Sequence, residues 1–354
     1  LDALKPVTMR KILLGWLCLA PSLPLVAQDS LKTKKLKVSG YADVYYKYNF
    51  NDNATDNKTS FTGAQNAFAL GMLSVKLQQA VGRVSFTGDL GLGQRAEEFS
   101  YHDRNTSAAI KQLFVSYSPW NAVTLTLGSF STYIGYESVD ADVNHNYSMS
   151  YLFSYGPFFH TGLKATARLG RHTLMAGVFN PADRKYGPWD GRKDYGAQWA
   201  YASGDDSFSS ALNYLGGVDS GRIRHDQVDV VLTYRLNAVF SLAYDGSYCS
   251  FSGSQQGSWW GSAVYGTATW TKAWSVAIRA EYFQDRDDLT VFDPEKFPQG
   301  GSIWSVTLSG NYRIHELTLL PEIRFDRASV DLFTRKDDRV PDSPSFLLAA
   351  VYRF

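Results

Sequence analysis

From Leu36 onward, apolar and polar residues alternate in short runs separated by polar gaps. YADVYYKYNF (Tyr41 to Phe50), VDVVLTYRL (Val228 to Leu236), SVAIRAEYF (Ser275 to Phe283) and SIWSVTLSGNYRI (Ser302 to Ile314) show the pattern most clearly. A period of two sends successive side chains to opposite sides of a strand, so each run predicts a strand with one apolar and one polar face. Wide polar gaps at 51–63, 94–107, 135–159, 181–193, 217–225, 250–257, 287–301 and 329–344 take turns with tight ones near Gly82, Trp120, Gly170, Asp205, Asn237, Lys272 and His315. Counted this way there are about 16 strands of roughly 10 residues, the length of a tilted membrane strand. Both regularities predict an all-β fold: a transmembrane antiparallel up-and-down β-barrel with long extracellular loops at one rim and short periplasmic turns at the other.

A closed barrel of this many strands is too wide to fill with its own wall side chains, so the polar face is expected inside, around an aqueous lumen. That face holds Asp43 and Lys47, Arg83 and Asp89, Lys164 and Arg168, Asp229 and Arg235, Arg279 and Glu281, then Glu322, Arg324 and Asp326. Lipid would meet Leu163, Val228, Val230, Leu232, Val276, Ile278, Val306, Leu308, Ile323 and Phe325, because a Lys or Arg at the bilayer midplane costs about 2–4 kcal/mol. Trp120, Trp274, Tyr312 and Tyr352, beside short turns or the terminus, suit the headgroup level, and ordinary cross-strand packing is the alternative. Pro321 has no N–H for a ladder, so LTLLPEIRF predicts a bulge or a shortened strand. The final run, SFLLAAVYRF, is expected to close the barrel against the strand at Gly40 to Phe50, with Phe346, Leu348, Ala350, Tyr352 and Phe354 toward lipid and Arg353 inward.

Composition agrees with strands: 22 Tyr, 21 Phe, 9 Trp and 29 Gly among 354 residues. Met9-Arg10-Lys11, the apolar run Ile12 to Ala20 and Leu25-Val26-Ala27 read as a secretory signal, so residues 1–27 are expected to be removed and 28–354 to form one barrel domain. Cys249 would then be the sole cysteine, which excludes an intrachain disulfide. The formal net charge of +1 gives no reason to expect nucleic acid as a partner.

The longest gap, Tyr136 to His160, is too aromatic for a solvated loop, with Tyr147, Tyr151, Phe153, Tyr155, Phe158 and Phe159. Either it folds into the lumen as a constriction, bringing Glu137, Asp140 and Asp142 near the passage, or it packs outside as a lid. Asp140, Asp142, Asn144 and Asn146 alternate as in a calcium loop, but His145 replaces the turn glycine and Tyr151 the closing Glu; no metal and no cofactor are expected. Gly91 to Ala96 imitates a dinucleotide fingerprint, and the expectation is a strand end with no helix after it. His102, His145, His160 and His225 lie near the long gaps without a G-x-S-x-G or H-E-x-x-H motif, so an outer-membrane hydrolase is the weakest reading.

GYADVYYKYN (Gly40 to Asn49), IGYESVDADVNHNYSMSYLFSYGPFFHTGLKAT (Ile134 to Thr166) and GVFNPAD (Gly177 to Asp183) together resemble the OmpL-like β-barrel outer-membrane porin family, over nearly all of Leu36 to Phe354. Met149 stands where the resemblance would place a basic residue. The resemblance implies a diffusion pore in a Gram-negative outer membrane, and a terminal aromatic strand, ending here at Phe354, that the barrel-insertion machinery recognises. Passive diffusion of small hydrophilic solutes or ions is the expected activity, with a barrel lacking an open pore, structural or adhesive, as the alternative. Candidate pore-lining residues are Asp43, Lys47, Lys164, Arg168, Arg279, Glu281, Arg324 and Asp326, with Glu137, Asp140 and Asp142 on the constriction loop. Outer-membrane lipids are the expected surroundings. A homo-oligomer is compatible with the sequence, although no stretch marks a subunit interface.

Overall fold

The computed structural model describes residues 34–53, 56–186, 191–219 and 221–354; the signal read over residues 1–27 lies outside them. The first half of the wall comprises β1 (Lys37–Asn49), β2 (Ala67–Val81), β3 (Val84–Leu92), β4 (Ile110–Trp120), β5 (Val123–Ser131), β6 (Phe159–Leu169), β7 (His172–Phe179) and β8 (Asp194–Ala202). The second half comprises β9 (Phe208–Val218), β10 (Ile223–Arg235), β11 (Phe240–Gly253), β12 (Gly257–Thr269), β13 (Trp274–Asp285), β14 (Gly301–Ile314), β15 (Leu317–Ala328) and β18 (Asp342–Arg353). These sixteen strands form one closed antiparallel barrel, each beside its sequence neighbour, while β16 (Phe333–Arg335) and β17 (Asp338–Val340) make a separate small hairpin. Two short helices, α1 (Gln94–Phe99) and α2 (Tyr151–Tyr155), lie in the connections after β3 and β5.

The seam closes as the terminal run suggests. β1 and β18 pair from Tyr41 opposite Arg353 to Asn49 opposite Ser345, and Gly40 and Phe354 exchange both backbone hydrogen bonds at 3.0 Å. Closure leaves no strand edge in lipid, where an unpaired N–H or C=O would have no partner. The two faces also follow the alternation. Leu163, Val228, Ile278, Val306, Leu308, Ile323, Phe325, Leu348 and Tyr352 are exposed on the outside, while Asp43, Asp89, Asp229, Arg279, Glu281, Glu322, Arg324 and Asp326 are buried on the inside. Near the short-turn rim Trp274 stands opposite Tyr312 with the rings stacked 4.2 Å apart, so these two aromatics are both outward and a cross-strand pair.

Three expectations change. The gaps at 217–225 and 250–257 are not wide: β9 leads to β10 through 219–222 and β11 to β12 through 254–256, because alternation continues into residues that look like loop. β15 is neither bulged nor shortened at Pro321. The β14–β15 register is the same on either side, Ser309 opposite Glu322 and Tyr312 opposite Leu319, and the exposed proline ring faces outward across from Gly310. Only the ladder pairs beside the missing N–H are lost. Finally, a helix does follow the Gly91 to Ala96 stretch: Gly93, at φ 120, turns the chain into α1, whose Ala96 and Phe99 are buried inside the barrel. The flanking strands are antiparallel neighbours, so no βαβ unit surrounds it.

The larger difference lies in the lumen, which encloses apolar packing. Tyr41, Tyr45, Leu347, Ala349 and Val351 from the inner wall form one cluster with Phe61, Phe99, Tyr147, Met149, Phe153 and Phe158 from the inward segments and Phe159 at the start of β6. A second joins Tyr151 and Leu152 to Trp259, Phe283, Ile303, Phe292 and Phe333. A barrel this wide has room for its own loops, and the aromatics of the longest gap bury there instead of meeting solvent.

Candidate functional site

The connection between β5 and β6, residues 132–158, enters the lumen and is fixed to wall strands around most of the barrel. A loop inside a barrel has backbone groups that no ladder satisfies, so the wall must supply partners. Inward carboxylates do so for its N–H groups. Glu281 accepts from Tyr151 N at 3.0 Å and Leu152 N at 2.8 Å, which satisfies orphan donors at the start of α2. Glu322 accepts from Tyr147 N at 2.8 Å and Ser148 N at 3.1 Å, and from Ser309 Oγ at 2.7 Å. Asp229 and Asp245 accept from Gly135 N and Tyr136 N, each at 3.1 Å.

Inward guanidinium groups satisfy the carbonyls. Arg279 donates to Ser148 O at 2.7 Å, Met149 O at 3.2 Å, Thr307 Oγ1 at 3.0 Å and the loop's own Glu137 at 2.6 Å. Glu137 in turn accepts from Ser150 N and Ser150 Oγ, both at 2.8 Å. Arg324 donates to Met149 O at 2.6 Å and pairs with Asp326 at 2.8 Å, its guanidinium 5.1 Å from the centre of the Tyr151 ring. On the far side Tyr147 Oη donates to Asp43, and Lys111 bridges Asp140 to Asp89, the latter at 3.2 Å. Gly71 makes the Asp43 contact possible, since a Cβ there would lie 1.7 Å from an Asp43 carboxylate oxygen.

The other end of the loop is fixed by Asp183, whose carboxylate accepts from Phe158 N at 2.7 Å, Phe159 N at 3.0 Å and Tyr101 Oη at 3.1 Å. Burial pushes the Asp183 carboxyl up to about 7. Within the loop, burial, helped by Arg313 and Arg353, pushes His145 down to about 4, so its imidazole is neutral at pH 7. The side chains of the calcium-like stretch go to separate partners: Asp140 accepts from Lys111, Asp142 pairs with Arg353 at 2.9 Å, Asn144 Oδ1 accepts from Ser138 N at 3.1 Å and the Asn146 amide donates to Ser309 Oγ at 2.7 Å.

The BBP2 family model, beta-barrel porin-2, OmpL-like, matches residues 35–354. The chain belongs to the OmpL-like β-barrel porin family. It is an outer-membrane porin of the Gram-negative type. No curated protein matches it. Solved porins share the fold at low identity. The outer-membrane channel DcaP of Acinetobacter baumannii superposes with a TM-score of 0.60 at 12% identity, over 90% of this chain and 97% of that one. The anion-selective porin of Comamonas acidovorans gives 0.60 at 12% over 91% and 100%. The trimer form of in-vitro folded OmpT from Vibrio cholerae gives 0.60 at 12% over 91% and 99%.

Within this porin the candidate residues fall into two groups. Asp43, Arg279, Glu281, Arg324 and Asp326 all face inward, and together with Glu137 and Asp140 they hold the loop, their charged groups buried beneath it. Lys47 also faces inward but holds another segment, donating to Asn57 Oδ1 at 2.5 Å and Thr62 O at 2.9 Å. Asp142 pairs with Arg353. Lys164 and Arg168 lie elsewhere, on β6: Lys164 Nζ is 3.8 Å from the centre of the Phe130 ring, and Arg168 is exposed toward the short-turn rim. Sequence reasoning missed Arg95, which donates to Val139 O of the loop at 3.4 Å and lies 3.9 Å from the Asp43 carboxylate, as well as Lys111, Asp183 and the anchoring role of Glu322, Asp229 and Asp245. The parity of the last three was readable. Lys111 was hidden by a register shift between Asp89 and Leu90, and Arg95 sits on a helix that no periodicity announced.

Proposed function

We propose that this porin passes small hydrophilic solutes by passive diffusion, with loop 132–158 setting the width of the passage and the inward charges of β13 and β15 serving chiefly to hold that loop. The observation behind this reading is the set of wall-to-loop hydrogen bonds from Arg279, Glu281, Glu322 and Arg324 to consecutive backbone groups of residues 147–152. Wall charges with every strong partner inside the protein have little left for a passing solute, so their first role is positional. Residues 1–27 are read as removed on export, leaving 28–354 as the barrel, with the short turns toward the periplasm and Phe354 as part of the strand that the insertion machinery reads.

A second reading, a barrel that transports nothing, draws support from the apolar clusters that fill part of the lumen. Single-channel conductance separates the two. Deleting Ser148 to Tyr155 should raise the unit conductance of a diffusion porin several-fold. An unchanged conductance rejects the loop as the constriction, and no discrete steps with or without the deletion rejects diffusion altogether.

A further inference from the structure

We infer that the short-turn end of the lumen is an anion-selecting vestibule, so that the permeating solutes are small anions such as carboxylates, phosphate and halide; this rests on the diffusion reading above. Six basic residues hold inward positions at that end: Lys37 of β1, Arg83 just before β3, Arg168 of β6, Arg235 of β10, Arg313 of β14 and Arg353 of β18. Their parity follows from the buried inward residues on the same strands, namely Asp43, Asp89, Asp229 and Thr307, and from Lys164 and Val351. They are spaced around the whole barrel. All but Arg353 are exposed, and Arg353 keeps 37% of its side chain accessible while pairing with Asp142.

Most other inward positions near the same rim are neutral, Gln78, Ser118, Thr124, Thr173, Ala200, Ser209, Ser241, Thr267, Ser275 and Thr318 among them, while Glu316 just before β15 and Arg171 just before β7 share the inward parity as one exposed acid and one exposed base. Hydroxyls there pair with one another across strands, Ser118 with Thr124 at 3.0 Å and Ser209 with Thr233 at 2.6 Å, which leaves a wettable, uncharged wall between the cations. The lumen's carboxylates cannot offset this. Asp43, Asp89, Asp229, Asp245, Glu281, Glu322 and Asp326 are at most 7% exposed, each occupied by loop or wall partners. Asp205, in the turn between β8 and β9, is bound by Ser203 at 2.6 Å and Ser207 at 2.9 Å. Most carboxylates are thus spent inside the fold, and at the rim the exposed acids Asp205, Asp206 and Glu316 are outnumbered by the exposed Lys37, Arg83, Arg168, Arg171, Arg235 and Arg313, so the net field that a solute meets is positive. A ring of Arg and Lys is the usual means by which a pore prefers anions. With a Debye length of about 10 Å at 0.1 M salt, the preference should be strong in dilute salt and weaken as salt rises.

The test is the reversal potential of the purified barrel in neutral-lipid planar bilayers under a roughly tenfold KCl gradient at low ionic strength. The expected sign marks chloride as the preferred ion, with the preference shrinking in concentrated salt. Arg168→Gln/Arg313→Gln should move the potential toward zero, and Arg168→Glu/Arg313→Glu should carry it to or past zero. Lys336→Glu, at the tip of the β16–β17 hairpin on the opposite rim, should leave it near wild type. A cation-preferring wild type overturns the inference, as does a double charge reversal that gates normally with an unchanged potential. Absence of any channel steps in the wild type is a different result: it removes the diffusion reading itself, and the inference with it.

Discussion

Replacing Arg279 by methionine removes one group that holds a charge and two carbonyls at once. The side chain is fully buried, and its guanidinium contacts Glu137 at 2.6 Å, Ser148 O at 2.7 Å, Thr307 Oγ1 at 3.0 Å and Met149 O at 3.2 Å. Methionine fills much of the volume but leaves the Glu137 carboxylate buried with only Ser150 as a partner. Breaking a buried ion pair from one side costs about 3–5 kcal/mol, mostly because the remaining charge is uncompensated. The barrel ladders do not run through this contact, so the loss should fall on local opening of the loop. At ~1.4 kcal/mol per tenfold, opening becomes roughly 100 to 4,000 times more frequent. Hydrogen exchange of the folded barrel in detergent reads this directly: protection at Tyr147, Ser148, Ser150, Tyr151 and Leu152 should fall by that factor. Amides of the β13–β14 ladder should keep theirs. Adding Glu137→Gln to the variant should restore part of the protection, since the stranded charge is then gone. A loss of less than about tenfold at all five amides, or an equal loss in the ladder, would show that the loop is not held by this pair but unfolds only with the barrel.

Other perturbations test the same construction elsewhere. Gly71→Ala should displace Asp43 and break its bond with Tyr147, because the new Cβ would lie 1.7 Å from the carboxylate; loss of protection on the β1–β2 side of the loop with the strands intact is the expected exchange pattern. Burial pushes the Asp183 carboxyl up from the ordinary 3.8 to about 7, so its contribution is fully present only below the ordinary value and is lost as pH rises from there through about 7. Asp183→Asn keeps the acceptor and suits the φ of 58 there, so the pH dependence of urea midpoints over that window should flatten. Deleting Phe354 removes both 3.0 Å bonds to Gly40 at the seam and should slow insertion into the outer membrane; insertion at the wild-type rate would show that the last strand is read without it.

Alternation by itself determined the wall. Period two, together with the impossibility of an unpaired edge in lipid, allows essentially one arrangement for these strands, and that is why the inward parity of Asp43, Lys164, Arg279 and Arg324 could be read without coordinates. SFLLAAVYRF shows where such reading stops. Its outer row, with Leu348, Tyr352 and Phe354, follows from lipid, yet Leu347, Ala349 and Val351 are apolar as well and are buried against residues of the inward segments. A strand covered on both faces loses the contrast that marks inside from outside.

What tertiary structure alone decided is the use of the lumen. Whether residues 132–158 lie outside as a lid or inside the lumen depends on whether inward side chains from β10, β11, β13, β14 and β15 reach loop amides and carbonyls at bonding distance. That geometry comes from the curvature and register of strands far apart in sequence, such as Tyr147 N to Glu322 and Leu152 N to Glu281. No local period encodes it. For the same reason Arg279 and Arg168 look equivalent in sequence, both basic and both inward, but one is buried under the loop and the other faces water, a distinction made only by what the closed barrel places above them.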